Sequence, residues 1–403
     1  MSTYRRWLLY GTAAAVAVAG AVGVTVAARS RSSASESVPS GLAAAGLTQS
    51  GPTPSAVDWA PVVGGNSRGP SAIVSLGDSY ISGEGARWKG NSAASAAGHQ
   101  GTDRSAQVYG YTDVNGCHRS DVAEIISAGL PVAKTINLAC SGAQTVNVLR
   151  ASAGGVAFKG EAPQNDQLET IAKHNDVKLI VLSIGGNDLG FSKIVASCVG
   201  AYLNDTDPCK AKQASILARL PKATAAVTAT VTDVRAAMAA AGYRDRDYRL
   251  VLQSYPSFAP VGKFRYVAAT AGDRSGAGGC PFLDADVRWA GSVLIPALTK
   301  GLAGAAQQTG AQFLDLTQAF QGHELCAASA KQSTGKPNSE SSEWFRFIDL
   351  NGQGSPSESL HPNYFGQQAL GRCLALTTMT DKNVACHGVP LRSAKAVHLS
   401  NQR

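Results

Sequence analysis

At 403 residues, with 44% apolar and 16% charged side chains, the chain carries enough apolar material for one large domain or two ordinary ones, which excludes a fibre or a disordered protein. Its formal charge of +8 sits at the ends: residues 1–35 hold Arg5, Arg6, Arg29 and Arg31 with no acid, residues 389–403 hold Arg392, Lys395 and Arg403 with no acid, and +1 remains between them. A near-neutral body lacks the basic stripe that a phosphate backbone requires, so nucleic acid is excluded as a partner, while the basic ends suit contact with an anionic cell surface.

The chain opens on MSTYRR and an uncharged stretch, Trp7 to Ala28, with small residues at Val26-Ala27-Ala28. That is the order of an export signal, so residues 1–28 are expected to be a signal peptide or, because the stretch can also span a bilayer, an uncleaved anchor holding the rest outside. Arg5-Arg6 loosely fits a twin-arginine signal. Residues 29–67, rich in Ser, Ala, Gly and Pro, read as a flexible linker. A literal GxSxG at Gly65-Asn66-Ser67-Arg68-Gly69 has no strand before it and carries no chemistry.

The folded body is expected over residues 68–388, followed by a basic tail, 389–403. Short apolar runs at Ala72–Leu76, Thr135–Leu138, Leu179–Ile184, Tyr248–Gln253 and Gln312–Leu316 predict five strands. Between them, Val227, Val231, Val234 and Met238 form a helical stripe ended by Gly242, and Val287, Ala290, Leu294, Leu298 and Leu302 form another ended near Gly310. Strands alternating with helices predict an α/β fold with a parallel sheet and a ligand site at the carboxyl ends of the strands.

Three of those ends carry groups suited to acyl transfer. The first run leads into Gly77-Asp78-Ser79 within GDSYISGEG, where glycines let the chain bend and lift a hydroxyl out of the sheet edge. The second leads into Cys140-Ser141-Gly142-Ala143, and the third into Ser183-Ile184-Gly185-Gly186-Asn187-Asp188. A serine, two backbone N–H groups and an amide side chain on one edge would make a nucleophile with an oxyanion hole. Of seven histidines, His361 in Glu358-Ser359-Leu360-His361-Pro362-Asn363 has the most suggestive setting, since a carboxylate three residues before an imidazole can bend back to its Nδ1. His118, beside Cys117, is the next candidate.

Eight cysteines in an exported chain predict disulfides; the sequence leaves 105 connectivities open, and the spacings suit pairing in sequence order as Cys117 with Cys140, Cys198 with Cys209, Cys280 with Cys326, and Cys373 with Cys386. No metal set is present: His323-Glu324-Leu325-Cys326 begins like a zinc-protease helix but lacks the second histidine.

GDSYISGEG, the CSGA turn, SIGGND and SLHPN stand in the order of the four blocks of the SGNH, or GDSL-type, hydrolases, and residues 70–388 resemble the secreted actinobacterial branch of that family. The resemblance implies a three-layer α/β/α sandwich with a five-stranded, parallel, flavodoxin-like sheet. It further implies Ser79 as nucleophile, an oxyanion hole from the Ser79 and Gly142 N–H groups and the Asn187 side chain, and His361 as general acid and base. Where most members have Asp, this chain has Glu358, which makes it the expected third member of a triad; some secreted relatives use a backbone carbonyl instead.

The expected activity is therefore that of a secreted serine esterase or lipase needing no cofactor and acting as a monomer. Its ester substrate would be a lipid, a phospholipid or an acylated glycan. The alternatives are a carbohydrate O-deacetylase and, from a different class, an inactive surface binding module. Specificity is expected from the loops Ala86–Gly116 and Gln321–Ser357.

Overall fold

β1 (Ser71–Gly77), β2 (Lys134–Asn137), β3 (Asp176–Ser183), β4 (Arg249–Gln253), β5 (Gln312–Asp315), β6 (Val384–His387) and β7 (His398–Asn401) form one sheet in the order β2-β1-β3-β4-β5-β6-β7. The computed structural model describes residues 69–86, 115–260, 279–325, 327–333, 338–348 and 356–402. The expected signal segment and linker lie outside these residues, as do 87–114 of the first specificity loop and 334–337 and 349–355 of the second.

The five expected strands all form and are mutually parallel, in flavodoxin-like order. β1 and β3 are central, which is why Ala72-Ile73-Val74 and Leu179-Ile180-Val181-Leu182 are continuous apolar runs: both faces are covered. Two further strands extend the sheet. β6 runs parallel to β5, and β7 returns antiparallel along β6, from His398 opposite His387 to Asn401 opposite Val384. Residues 389–402, expected to belong to a tail beyond the body, thus pack onto it. Val397 and Ala394 are buried, and their few apolar side chains were masked in the sequence by Arg392 and Lys395.

The helix Leu220–Ala240 buries the predicted Val227, Val231, Val234 and Met238 stripe and packs on Ile295–Thr309 and Gln164–His174. Tyr364–Thr377 packs on Glu124–Ser127 and on β7. The second stripe is not one uniform helix: Asp284–Trp289 passes through a π turn, Ala290–Leu294, before Ile295–Thr309. Pro296 has no N–H to return to the preceding turn, which favours the wider π register there. Among the described residues no helix is long and apolar enough to cross a membrane.

Connections leave β1 and β3 toward opposite sides of the sheet, to β2 and to β4. The crevice outside the carboxyl ends of β1 and β3 is thus the switch point where a doubly wound sheet holds its ligand. Ser79 follows β1, and Asn187 follows β3.

Candidate active site

At Gly77 the chain leaves β1 with φ +132°, and a β-carbon there would lie 1.9 Å from the Ser183 carbonyl oxygen, so glycine alone fits. The Gln164 side chain grips the same residue, accepting from the Gly77 N–H at 2.7 Å and donating to its carbonyl at 2.9 Å. Asp78 caps the short helix Ser79–Ser82, accepting from the Tyr80 N–H at 3.1 Å and from the Tyr255 hydroxyl at 2.5 Å. The Tyr255 oxygen in turn accepts from the Gly186 N–H at 3.0 Å, so one buried carboxyl ties the Ser79 turn to the end of β4 and to the glycine pair after β3. Burial lifts the Asp78 carboxyl to about 7 against those hydrogen bonds, as suits a brace. Ser79 is the first residue of its helix, and its N–H has no partner within that helix.

His361 Nε2 lies 2.7 Å from Ser79 Oγ, and Nδ1 lies 3.1 Å from the Ser359 carbonyl oxygen. A carbonyl can only accept, so Nδ1 carries the proton and Nε2 presents its lone pair to the serine hydroxyl, which donates. Burial lowers the His361 pKa below its usual 6.5, against the nearby Glu84 charge, which pulls it up.

The Ser359 carbonyl thus occupies the Nδ1 position expected for the Glu358 carboxylate. The cause lies in the backbone. Pro356–Glu358 form a 3₁₀ turn, the Glu358 carbonyl accepts from the His361 N–H at 3.1 Å, and Leu360 takes a left-handed φ of 62°. A leucine in that region is strained by about 1–2 kcal/mol. It is held there by its N–H to the Arg346 carbonyl at 2.8 Å and by the Tyr80 hydroxyl, which donates to its carbonyl at 2.7 Å. The Glu358 side chain is buried, 1% exposed, under this turn.

Gly142 is exposed and has φ +85°. Its neighbours are engaged, the Ser141 N–H with Cys117 and the Ala143 N–H with Cys140, each at 3.0 Å, while the Gly142 N–H between them has no acceptor among the described residues. Asn187 Nδ2 donates one hydrogen to the Ala143 carbonyl at 2.9 Å, which leaves its second. Asp188 accepts from the Thr145 hydroxyl at 2.5 Å and so locks the Gly142 and Asn187 turns together. A hydroxyl against an unprotonated imidazole nitrogen, with N–H donors on the same sheet edge, has the parts for acyl transfer.

Cys117 is bonded to Cys140, Cys198 to Cys209 and Cys373 to Cys386. Cys280 is also disulfide-bonded, and its expected partner Cys326 lies outside the described residues. The Cys117–Cys140 bridge holds the segment carrying His118 against the Gly142 turn. His118 bonds to the carboxylate of Glu84 through its Nδ1 and is not engaged with Ser79. His323 stacks on Trp344 at 4.0 Å and bonds to the Ser342 carbonyl, a packing role.

Sequence reasoning missed Tyr255, Tyr80 and Glu84. Tyr255 stands two residues after β4, at the same sheet edge as the other groups, and that position was the available signal. Tyr80 and Glu84 were in plain view inside GDSYISGEG, but neither shows from the sequence which way it turns.

A family model described as GDSL-like Lipase/Acylhydrolase matches residues 75–369, a span that contains Ser79, Gly142, Asn187 and His361. The chain belongs to that family. Lipase 1 of Streptomyces coelicolor is 26% identical over 295 residues, covering 73% of this chain and 81% of that protein. Among solved structures, an extracellular lipase from Streptomyces rimosus aligns at 23% identity with a TM-score of 0.45, over 77% of this chain and 100% of its own. A phospholipase A1 from Streptomyces albidoflavus aligns at 22% identity with a TM-score of 0.44 over the same shares, 77% and 100%. The GDSL member described here is accordingly a hydrolase.

Proposed function

We propose that this GDSL hydrolase is a secreted serine esterase that cleaves carboxylic esters with apolar acyl groups through an acyl-enzyme, with Ser79 and His361 as a dyad. The observation that carries the reading is the 2.7 Å contact from Ser79 Oγ to a His361 Nε2 whose tautomer is fixed by a carbonyl on the other nitrogen. Ser79 Oγ attacks the ester carbonyl as its proton passes to Nε2, and the oxyanion is met by the Ser79 and Gly142 N–H groups and the second Asn187 hydrogen. His361 then protonates the departing alcohol. Water then attacks the acyl carbonyl as it gives a proton to His361, and His361 returns that proton to Ser79 Oγ as the acid leaves.

If the Ser359 carbonyl is what orients His361, the Glu358 carboxylate takes no part in the proton transfers. Glu358→Gln should change kcat by less than about threefold, under about 1 kcal/mol of barrier, when steady-state rates are compared with the wild type. A loss of orders of magnitude would restore the triad.

Export is supported by the disulfides and by the basic-then-apolar start of the chain. An apolar acyl group is favoured by the lipase name of the Streptomyces coelicolor relative. The test is a panel of short and long acyl esters, phospholipids and acetylated glycans, with Ser79→Ala as blank. Turnover rising with acyl length supports the proposal, and preference for acetylated glycans over every longer ester would overturn it.

A further inference from the structure

Glu84 closes the turn that Asp78 opens, its N–H donating to the Ser79 carbonyl at 3.1 Å. The side chain is 2% exposed. The next residue, Gly85, has φ +74° and lies directly on the histidine loop: a β-carbon there would sit 3.2 Å from the Glu358 carbonyl oxygen and 3.3 Å from His361 Cβ. The backbone that carries Glu84 is therefore packed against the backbone that carries His361. Of the two carboxylate oxygens, Oε2 bonds to His118 Nδ1, and Oε1 has no hydrogen-bond partner at normal length. The groups facing this carboxylate are His118, His361, Lys159 and the Ser141 hydroxyl. The His361 ring is faced by the Ser79 hydroxyl, the Tyr80 ring at 5.0 Å, the Ser359 and Glu358 carbonyls, and the charges of Glu84 and His118.

We propose that Glu84, paired with His118, is a positioning residue for His361, its buried charge balancing the imidazolium that forms when Ser79 gives up its proton. The inference rests on the Ser79–His361 reading given above. A carbonyl at Nδ1 fixes the tautomer but supplies no full negative charge, whereas a carboxylate in a water-poor interior acts over a longer range than it would in solvent. Burial pushes the Glu84 carboxyl up, but His118 and then His361 hold it down at about 2, so it stays ionised at working pH. His118, with 27% of its side chain exposed, holds Glu84 Oε2 through its Nδ1, and its own charge works against the one on His361. Lys159 donates to the Gly116 carbonyl at 2.5 Å and the Ser141 carbonyl at 2.7 Å, and so connects the same cluster to the Gly142 turn.

The test is the pH profile of Glu84→Gln, whose amide oxygen can still accept from His118 Nδ1. Loss of the charge should lower kcat by roughly tenfold with KM unchanged, and should move the acid limb of kcat/KM downward by about one pH unit, because the imidazolium has lost its attraction. His118→Asn, which keeps a donor near the Nδ1 position but removes the ring whose charge opposes that of His361, should move the limb upward. An unmoved limb in both variants with kcat within about twofold of the wild type would overturn the proposal, and a lower Tm beside an unmoved limb would reduce Glu84 to packing. Should Glu84→Gln not fold, His118→Asn decides alone, an upward shift supporting the proposal and none overturning it. Failure of the dyad reading is distinguishable, because it shows as surviving turnover in Ser79→Ala whatever Glu84 does.

Discussion

Ser79→Ala and His361→Ala should each lower kcat for any ester the enzyme accepts by roughly 10⁴- to 10⁶-fold, and the double variant should lose little more. The expectation follows from the shared proton: with the hydroxyl gone the imidazole has nothing to deprotonate, and with the imidazole gone the hydroxyl stays a weak nucleophile. Two independent contributions would instead multiply. Steady-state kinetics on the purified single and double variants check it. The wild-type pH dependence belongs to the same expectation. His361 must be neutral to accept the Ser79 proton, and burial holds its pKa below 6.5, so activity should persist through pH 6.5 and fall only as the pH drops through that lowered value. An acid limb above 6.5 would mean that another group, or a solvated His361, controls the reaction.

Asn187→Ala should cost about 10²- to 10³-fold, chiefly in kcat, the loss that follows removal of one donor to a developing oxyanion. One Asn187 hydrogen holds the Ala143 carbonyl at 2.9 Å, so the substitution also frees the turn carrying Gly142. Asn187→Asp separates the two effects, since it keeps the volume but supplies no donor and adds a negative charge where one develops. It should be at least as slow as Asn187→Ala, and a KM effect with kcat preserved would place Asn187 in ground-state binding instead.

Much of this was legible because it depends on short-range pattern. The apolar runs ending at Leu76 and Ile184 mark interior parallel strands, and the glycine-rich segments after them mark the switch point, so Ser79, Gly142 and Asn187 could be placed on one edge from sequence. The Nδ1 partner could not be placed. Glu358 stands at a spacing that allows a carboxylate to reach the ring, and the outcome turned on a left-handed Leu360, a conformation no local preference of leucine announces. That strain is held by Tyr80 and by Arg346, the former 280 residues away in sequence, and such support is invisible to a window of neighbours. Glu84 was hidden for the same reason, since its partner His118 comes from a distant segment fixed by the Cys117–Cys140 bridge. β6 and β7 were missed because each is short and half-exposed, with polar residues where a buried strand would show an apolar run.

The central claim is that Ser79 forms the covalent intermediate, and it is tested most directly by trapping. Ser79 Oγ should attack the phosphorus of a fluorophosphonate ester with an alkyl chain and displace fluoride, adding a single phosphonyl group to the wild-type protein by intact mass, with peptide mapping placing it on Ser79. Labelling should disappear in Ser79→Ala and slow strongly in His361→Ala, with turnover lost in step. A phosphonyl group recovered on another residue, or ester turnover that survives in fully labelled protein, would contradict the account.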